Sequence, residues 1–255
     1  MTNISTNPIA LSTTVTGTGP GVVLAHGGTG SIESNFGSLI PLLAAGHTVT
    51  GSDYPADDTH LELDALADAL VADAATERFT LIGFSLGTAV AVRAAVRHPD
   101  RVAGLVLAAG IAKADNRTRL ALDIWAAFLG QDDRESFARF ALHAAFSPAF
   151  TNGLPPEAVA ATVAGIAGRE PGGALAQLDL IRRVDTTADL ARVAVPTLAV
   201  AATGDLLVDA ANHRSLAEGI PGAEYAEVES GHVLMAERPE EWHRLVLDFL
   251  GRHGL

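Results

Sequence analysis

Residues Phe79–Arg97 read FTLIGFSLGTAVAVRAAVR. The first six, FTLIGF, form an apolar run of strand length. Leu86–Arg97 is rich in helix formers and stops at His98-Pro99, where a helix cannot continue. Between them stands Gly83-Phe84-Ser85-Leu86-Gly87, a G-x-S-x-G. A serine on so sharp a strand-to-helix turn has strained backbone angles, and only small neighbours fit beside it. The turn lifts the hydroxyl above the sheet and aims the N-terminus of the helix at developing negative charge. Glycine-rich βα turns without chemistry share the pentapeptide. The strand–turn–helix setting is what makes Ser85 a candidate nucleophile.

The rest of the chain repeats the alternation. Val22–Ala25, Thr48–Thr50 (leading into Asp53-Tyr54-Pro55), Val102–Ala109, Val195–Ala202 and Glu224–Glu229 read as strands. His60–Thr76 and Pro239–Leu250 read as amphipathic helices. Ile9–Val15 suits an antiparallel edge strand. Strands separated by helices imply parallel crossovers, hence an α/β fold with a mostly parallel, doubly wound sheet. Residues 111–190 differ. They hold no convincing strand, only helical segments broken by Gly130, Pro148, Gly153-Leu154-Pro155-Pro156 and Pro171-Gly172-Gly173. The expectation is a core of residues 1–110 and 191–255, with 111–190 as a helical cap over the sheet's carboxyl edge, where ligands bind in open α/β sheets.

Composition bounds the function. A chain of 255 residues fits one α/β unit with an insertion. Seventeen Lys and Arg against 30 Asp and Glu give a net charge of −13, which disfavours nucleic acid and anionic membranes as partners. Cysteine is absent, which excludes a thiol nucleophile, disulfides and cysteine-ligated zinc. No H-E-x-x-H occurs, and the pairs Asp57-Asp58 and Asp132-Asp133 read as solvated loop charge, so neither metal nor cofactor is expected. The N-terminus, MTNISTNPIA, lacks the basic start and apolar stretch of a signal peptide, and no apolar run is long enough to span a bilayer. A soluble cytoplasmic protein is expected.

Three further loops carry candidate chemistry. His26-Gly27-Gly28-Thr29-Gly30 follows a strand and suits a backbone-donor loop, with the Gly28 amide toward a substrate oxygen and His26 bracing the loop. A phosphate nest is the weaker reading, because no Lys-Ser/Thr follows and the glycines are not spaced G-x-G-x-x-G. Asp205 follows the fifth strand and can orient an imidazole or simply cap the next helix; Asp209 and Asp115 compete for that role. His232 lies in a loop after the sixth strand. The other histidines are weaker: His47 precedes a strand, His60, His98, His213, His243 and His253 fall on or beside helices, and His143 lies in the insertion. The order Ser85, Asp205, His232 is that of an α/β-hydrolase triad.

On these motifs the chain resembles the α/β hydrolases of the small esterase, lactonase and cofactor-free haloperoxidase-like group, over nearly its whole length. Gly19–Gly27 (GPGVVLAHG) is similar to the family's entry strand and oxyanion loop. Pro196 to Asp205 resembles its acid-bearing strand, with the acid nine residues after the proline, which favours Asp205 over Asp209. Gly231-His232, Glu237-Arg238-Pro239 and Trp242 resemble its G-H-x4-E-x-P-x2-aromatic close. The resemblance implies Ser85 as nucleophile, His232 as base, Asp205 as orienter, and the amides of Gly28 and Leu86 as oxyanion hole. It departs at Asp53-Tyr54-Pro55-Ala56-Asp57-Asp58, where D-x-R-G-x-G is common. Thr88 replaces a second glycine, and Gly28 stands where a bulky aromatic is common.

The expected reaction is two-step acyl transfer to water on a small to medium, largely apolar carboxylic ester or lactone. Trp125, Phe128, Phe137, Phe140 and Phe146 of the insertion are the candidate substrate-binding residues. Trp125 and Phe128, like Phe137 and Phe140, are spaced three apart, which also suits a buried helix face. The same triad could serve C–C bond or thioester hydrolysis, acyl transfer or perhydrolysis, and a non-catalytic ligand receptor is the remaining alternative. A monomer or homodimer acting on a small molecule is expected.

Overall fold

The computed structural model describes residues 9–57, 59–169 and 172–255. Residues 1–8, Asp58, Glu170 and Pro171 lie outside the described residues, and with them the readings of the N-terminus, of Asp58 and of the break at Pro171.

Seven strands form one sheet: β1 (Ser12–Thr16), β2 (Gly21–Ala25), β3 (Thr48–Asp53), β4 (Phe79–Phe84), β5 (Val102–Ala108), β6 (Thr197–Ala202) and β7 (Glu224–Val228). Their order is β1-β3-β2-β4-β5-β6-β7, and every pairing is parallel except β1 with β3. The three strands β2, β4 and β6 are buried along their whole length. That burial is why they read as continuous apolar runs rather than alternating ones. β1, exposed throughout, blunts one edge.

The chain winds from β2 outward to β3, then returns to β4 on the other side of β2. This reversal is a topological switch point, and it opens a crevice at the carboxyl ends of β2 and β4. Ala25 pairs with Gly83, so the loop after β2 and the turn after β4 emerge side by side.

Twelve α-helices and a 3₁₀ turn (Leu190–Arg192) complete the described chain. After β2 come α1 (Ile32–Phe36) and α2 (Ile40–Ala44), then α3 (Leu63–Ala72) and α4 (Leu86–Arg97). Between β5 and β6 lie α5 (Asn116–Gly130), α6 (Arg134–Ala145), α7 (Pro148–Gly153), α8 (Pro156–Ala167) and α9 (Ala174–Arg183). α10 (Ala210–Gly219) follows β6, and α11 (Leu234–Glu237) and α12 (Pro239–His253) close the chain. Residues 31–46, to which the sequence pattern assigns no element, form α1 and α2. Each helix is too short to display a period, though Ile32, Phe36 and Leu43 still reach the core. β3 runs on to Asp53 because its polar residues stay paired: the hydroxyls of Ser52 and Thr13 are hydrogen-bonded at 3.0 Å. No helix among the described residues is long and apolar enough to cross a membrane.

The helical segment between β5 and β6 is closed at its base. Lys113 and Asp185 form an isolated antiparallel bridge with an ion pair at 2.7 Å, and Thr186 N–H donates to Ala112 O at 2.8 Å.

Candidate active site

Ser85 sits at the turn from β4 to α4 with φ 52° and ψ −117°, a left-handed conformation that is costly for a side chain with a Cβ. Its surroundings impose that conformation. Ser85 N–H donates to Ala108 O at the end of β5, and Ser85 O accepts from Thr88 N–H. The two glycines of G-x-S-x-G are required by contact: a Cβ on Gly83 would strike the backbone of Gly87, and one on Gly87 would strike the carbonyl of Ala25. Thr88 makes use of its hydroxyl. It donates to Ser85 O at 2.6 Å and accepts from Ile111 N–H at 3.1 Å, joining the turn to the start of the helical segment.

His232, in the loop after β7, faces Ser85 with Nε2 2.9 Å from Oγ. Its Nδ1 is 2.6 Å from Oδ2 of Asp205, in the loop after β6. The other carboxylate oxygen, Oδ1, accepts from the amides of Leu207 and Val208 at 2.8 and 2.9 Å. Burial by itself would raise the Asp205 pKa. The charge of His232, with contacts from His213 and His232, outweighs it and holds the carboxyl well below the usual range. The competing carboxylates are helix caps: Asp209 accepts from Ala211 N–H and Asp115 from Thr118 N–H.

The loop after β2 completes the floor. His26 is buried, and burial pushes its pKa down to about 4, so the ring is neutral at pH 7. Its hydrogen bonds fix the tautomer: Nδ1–H donates to Gly27 O at 2.8 Å, and Nε2 accepts from Tyr54 N–H at 3.0 Å. Tyr54, which follows Asp53, lies against this ring and donates its hydroxyl to His26 O. The amides of the glycine loop are then used in turn. Gly27 N–H donates to Asn35 Oδ1, Thr29 N–H to Gln177 Oε1, and Gly30 N–H to Gly27 O. That of Gly28 meets no acceptor among the described residues. The Leu86 amide, first in α4, also lacks an intrahelical acceptor. A side chain at Gly28 would run into Ile181 of α9, which fills the space an aromatic could occupy there.

Above the three loops lies a cavity of about 340 Å³. Gly28, Ser85 and His232 line it from the sheet side, and Trp125, Phe137 and Phe146 line it from the helical segment, with Ile111, Leu122 and Ile181. Phe128 and Phe140 are not on its wall. They pack on each other, centroids 6.4 Å apart, and Phe140 meets Trp125 edge-on. Of the two pairs spaced by three, the buried members, Trp125 and Phe137, face the cavity, and the half-buried Phe128 and Phe140 pack behind them. No group of three or more His, Cys, Asp or Glu among the described residues is placed to hold a metal ion.

Two buried partners of the site have contacts that the sequence did not indicate. Glu237, recognised only as part of a motif, is buried and takes three donors: Gly231 N–H and Ser147 N–H on Oε1, and the Ser147 hydroxyl on Oε2. It ties the His232 loop to the junction of α6 and α7. Gln177, 2 % exposed on α9, holds the glycine loop.

Comparison with known proteins agrees with this construction. The pattern of the alpha/beta hydrolase fold matches residues 20–239. A pyrrolizixenacetamide deacetylase from Xenorhabdus hominickii is 31% identical over 261 residues, covering 98% of each chain. Two solved structures share the fold. The enol-lactonase from Burkholderia xenovorans LB400 has TM-score 0.82 and 21% identity over 94% of this chain and 96% of its own. A thermophilic esterase from Thermogutta terrifontis has TM-score 0.82 and 22% identity over 99% and 97%. With its sheet order, its strand–serine–helix turn and these matches along nearly all its length, the chain belongs to the α/β hydrolase family and is a hydrolase.

Proposed function

We propose that the protein is a serine hydrolase that cleaves a small to medium, largely apolar carboxylic ester or lactone through an acyl-enzyme. The observation that carries this reading is the hydrogen-bonded chain Ser85 Oγ–His232 Nε2 at 2.9 Å and His232 Nδ1–Asp205 Oδ2 at 2.6 Å, opening into the cavity. Ser85 Oγ attacks the carbonyl carbon while His232 Nε2 takes its proton. Asp205 accepts from Nδ1–H and stabilises the imidazolium. The amides of Gly28 and Leu86 receive the oxyanion at the positive end of α4. His232 returns the proton to the leaving oxygen, then draws one from the water that attacks the acyl carbon and delivers it to Ser85 Oγ as the acid is released. The 340 Å³ cavity is at the small end of ligand sites, and its aromatic and aliphatic walls favour an apolar acyl or alcohol part. The helical segment acts as its cap.

Hydrolysis of p-nitrophenyl acetate, butyrate and octanoate by wild type and Ser85→Ala tests this. Turnover should fall about 10⁴-fold or more in the mutant at unchanged thermal midpoint. Equal turnover in both proteins would refute it. A second reading, amide cleavage, is favoured by the relative that is named as a deacetylase of an acetamide. The same mechanism serves, with His232 protonating a leaving nitrogen. p-Nitroanilides of the same acyl groups distinguish the two.

A further inference from the structure

His213, in the first turn of α10, is 1 % exposed, and neither ring nitrogen makes an aligned hydrogen bond among the described residues. Burying an imidazole unpaired costs free energy that an aliphatic residue of similar size would not. The nearest polar atom explains its presence. His213 Nε2 is 3.3 Å from Oδ2 of Asp205, the same oxygen that receives His232 Nδ1 at 2.6 Å. Both side chains are sealed from solvent, at 1 % and 0 % exposure. A carboxylate offers about four lone-pair sites. Leu207 N–H and Val208 N–H occupy those of Oδ1, and His232 one of Oδ2. The remaining site of Oδ2 has His213 beside it.

We propose that His213 is a positioning residue of the active site, which donates Nε2–H to Asp205 Oδ2 and keeps that oxygen turned toward His232. This rests on the roles assigned to Ser85, His232 and Asp205 above. A carboxylate held through Oδ1 alone can swing Oδ2 away from Nδ1. A donor on the second lone pair of Oδ2 removes that freedom. At 3.3 Å the contact is the longer of the two that Oδ2 makes with imidazole nitrogens, beside 2.6 Å to His232.

The test compares wild type, His213→Leu, His213→Gln and Ser85→Ala on p-nitrophenyl butyrate. His213→Leu keeps most of the buried side-chain volume and removes the donor, so kcat should fall about tenfold while KM stays within about twofold. His213→Gln, whose amide nitrogen reaches the same oxygen, should restore most of kcat. A merely structural histidine predicts a changed thermal midpoint and an unchanged kcat. The tautomer is read in the wild-type protein by nitrogen-15 NMR of the histidine rings, whatever the variants do. A proton on His213 Nε2 is required. A folded His213→Leu enzyme with wild-type kcat, or a His213 protonated on Nδ1 alone, overturns the proposal. Turnover surviving in Ser85→Ala would instead overturn the serine mechanism beneath it.

Discussion

The carboxyl edge of the sheet and the helical segment above it bury their residues to different degrees. In α4, which carries the candidate nucleophile at its start, nine of twelve residues are buried. In α8, also of twelve residues, Val163 alone is buried. The first helix is locked between sheet and neighbours, so the backbone at Ser85 can hold a costly φ. The second is an apolar but largely exposed helix whose Thr162, Gly165 and Ile166 reach the cavity wall. Rigid placement of reacting atoms and an adaptable wall are separate requirements, and the chain meets them with separate regions.

The two regions are nonetheless stitched together by hydrogen bonds, some of which involve the loops of the site. Glu237 joins the His232 loop to Ser147, Val233 N–H donates to Ala145 O, and Gln177 holds Thr29. The largest way to break the comparison is to cut the first stitch. Glu237→Ala leaves the Gly231 amide and the Ser147 amide and hydroxyl without their acceptor. It should cost about 3 kcal/mol or more of unfolding free energy, read from urea denaturation. A loss under about 1 kcal/mol would mean the segment sits on the sheet edge without depending on it.

The sheet-side loop has its own signature. His26 is neutral when folded, its pKa pushed down to about 4 by burial, against 6.5 when free. Between those values the unfolded chain binds the extra proton and the folded chain does not, so stability falls as pH falls. From pH 7 to 5 this one residue should remove about 2 kcal/mol. Denaturation of wild type and His26→Gln across that range isolates the effect, since the mutant's slope should be shallower. Equal slopes would place the proton elsewhere.

The helical segment should answer differently, through selectivity. Trp125 lines the cavity, whereas Phe128 packs behind it. Trp125→Ala should move the preferred acyl chain to longer esters. Phe128→Ala should cost about 1–2 kcal/mol of stability, its ring being only half-buried, and leave chain-length preference as it was. The kinetic chain-length series, run on both, sharpens the division between wall and support.

Legibility in the sequence follows the same division. β4 and α4 begin and end where the pattern puts them, because continuous burial writes an apolar run and Gly83, Gly87 and Pro99 punctuate it. Ser85, Asp205 and His232 were readable as candidates because each follows a strand, and the structure brings the three within hydrogen-bond distance. The aromatic residues of the segment were readable only as a set. A period of three cannot say which ring of a helix faces a cavity and which its neighbour helix, so Trp125, Phe137 and Phe146 could not be told from Phe128 and Phe140. Gln177 and His213 left no signal at all. Each acts on a residue far away in sequence or around a turn, through one atom, and only the folded chain brings the pair together.

Trapping the covalent intermediate tests the serine mechanism most directly. Wild type is mixed with a fluorophosphonate, and the intact mass and its peptides are measured. One adduct is predicted, on Ser85, with hydrolysis of p-nitrophenyl butyrate lost in proportion to labelling, no adduct in Ser85→Ala, and labelling strongly slowed in His232→Ala. Full labelling of another residue, or ester hydrolysis that survives complete modification of Ser85, would contradict the account.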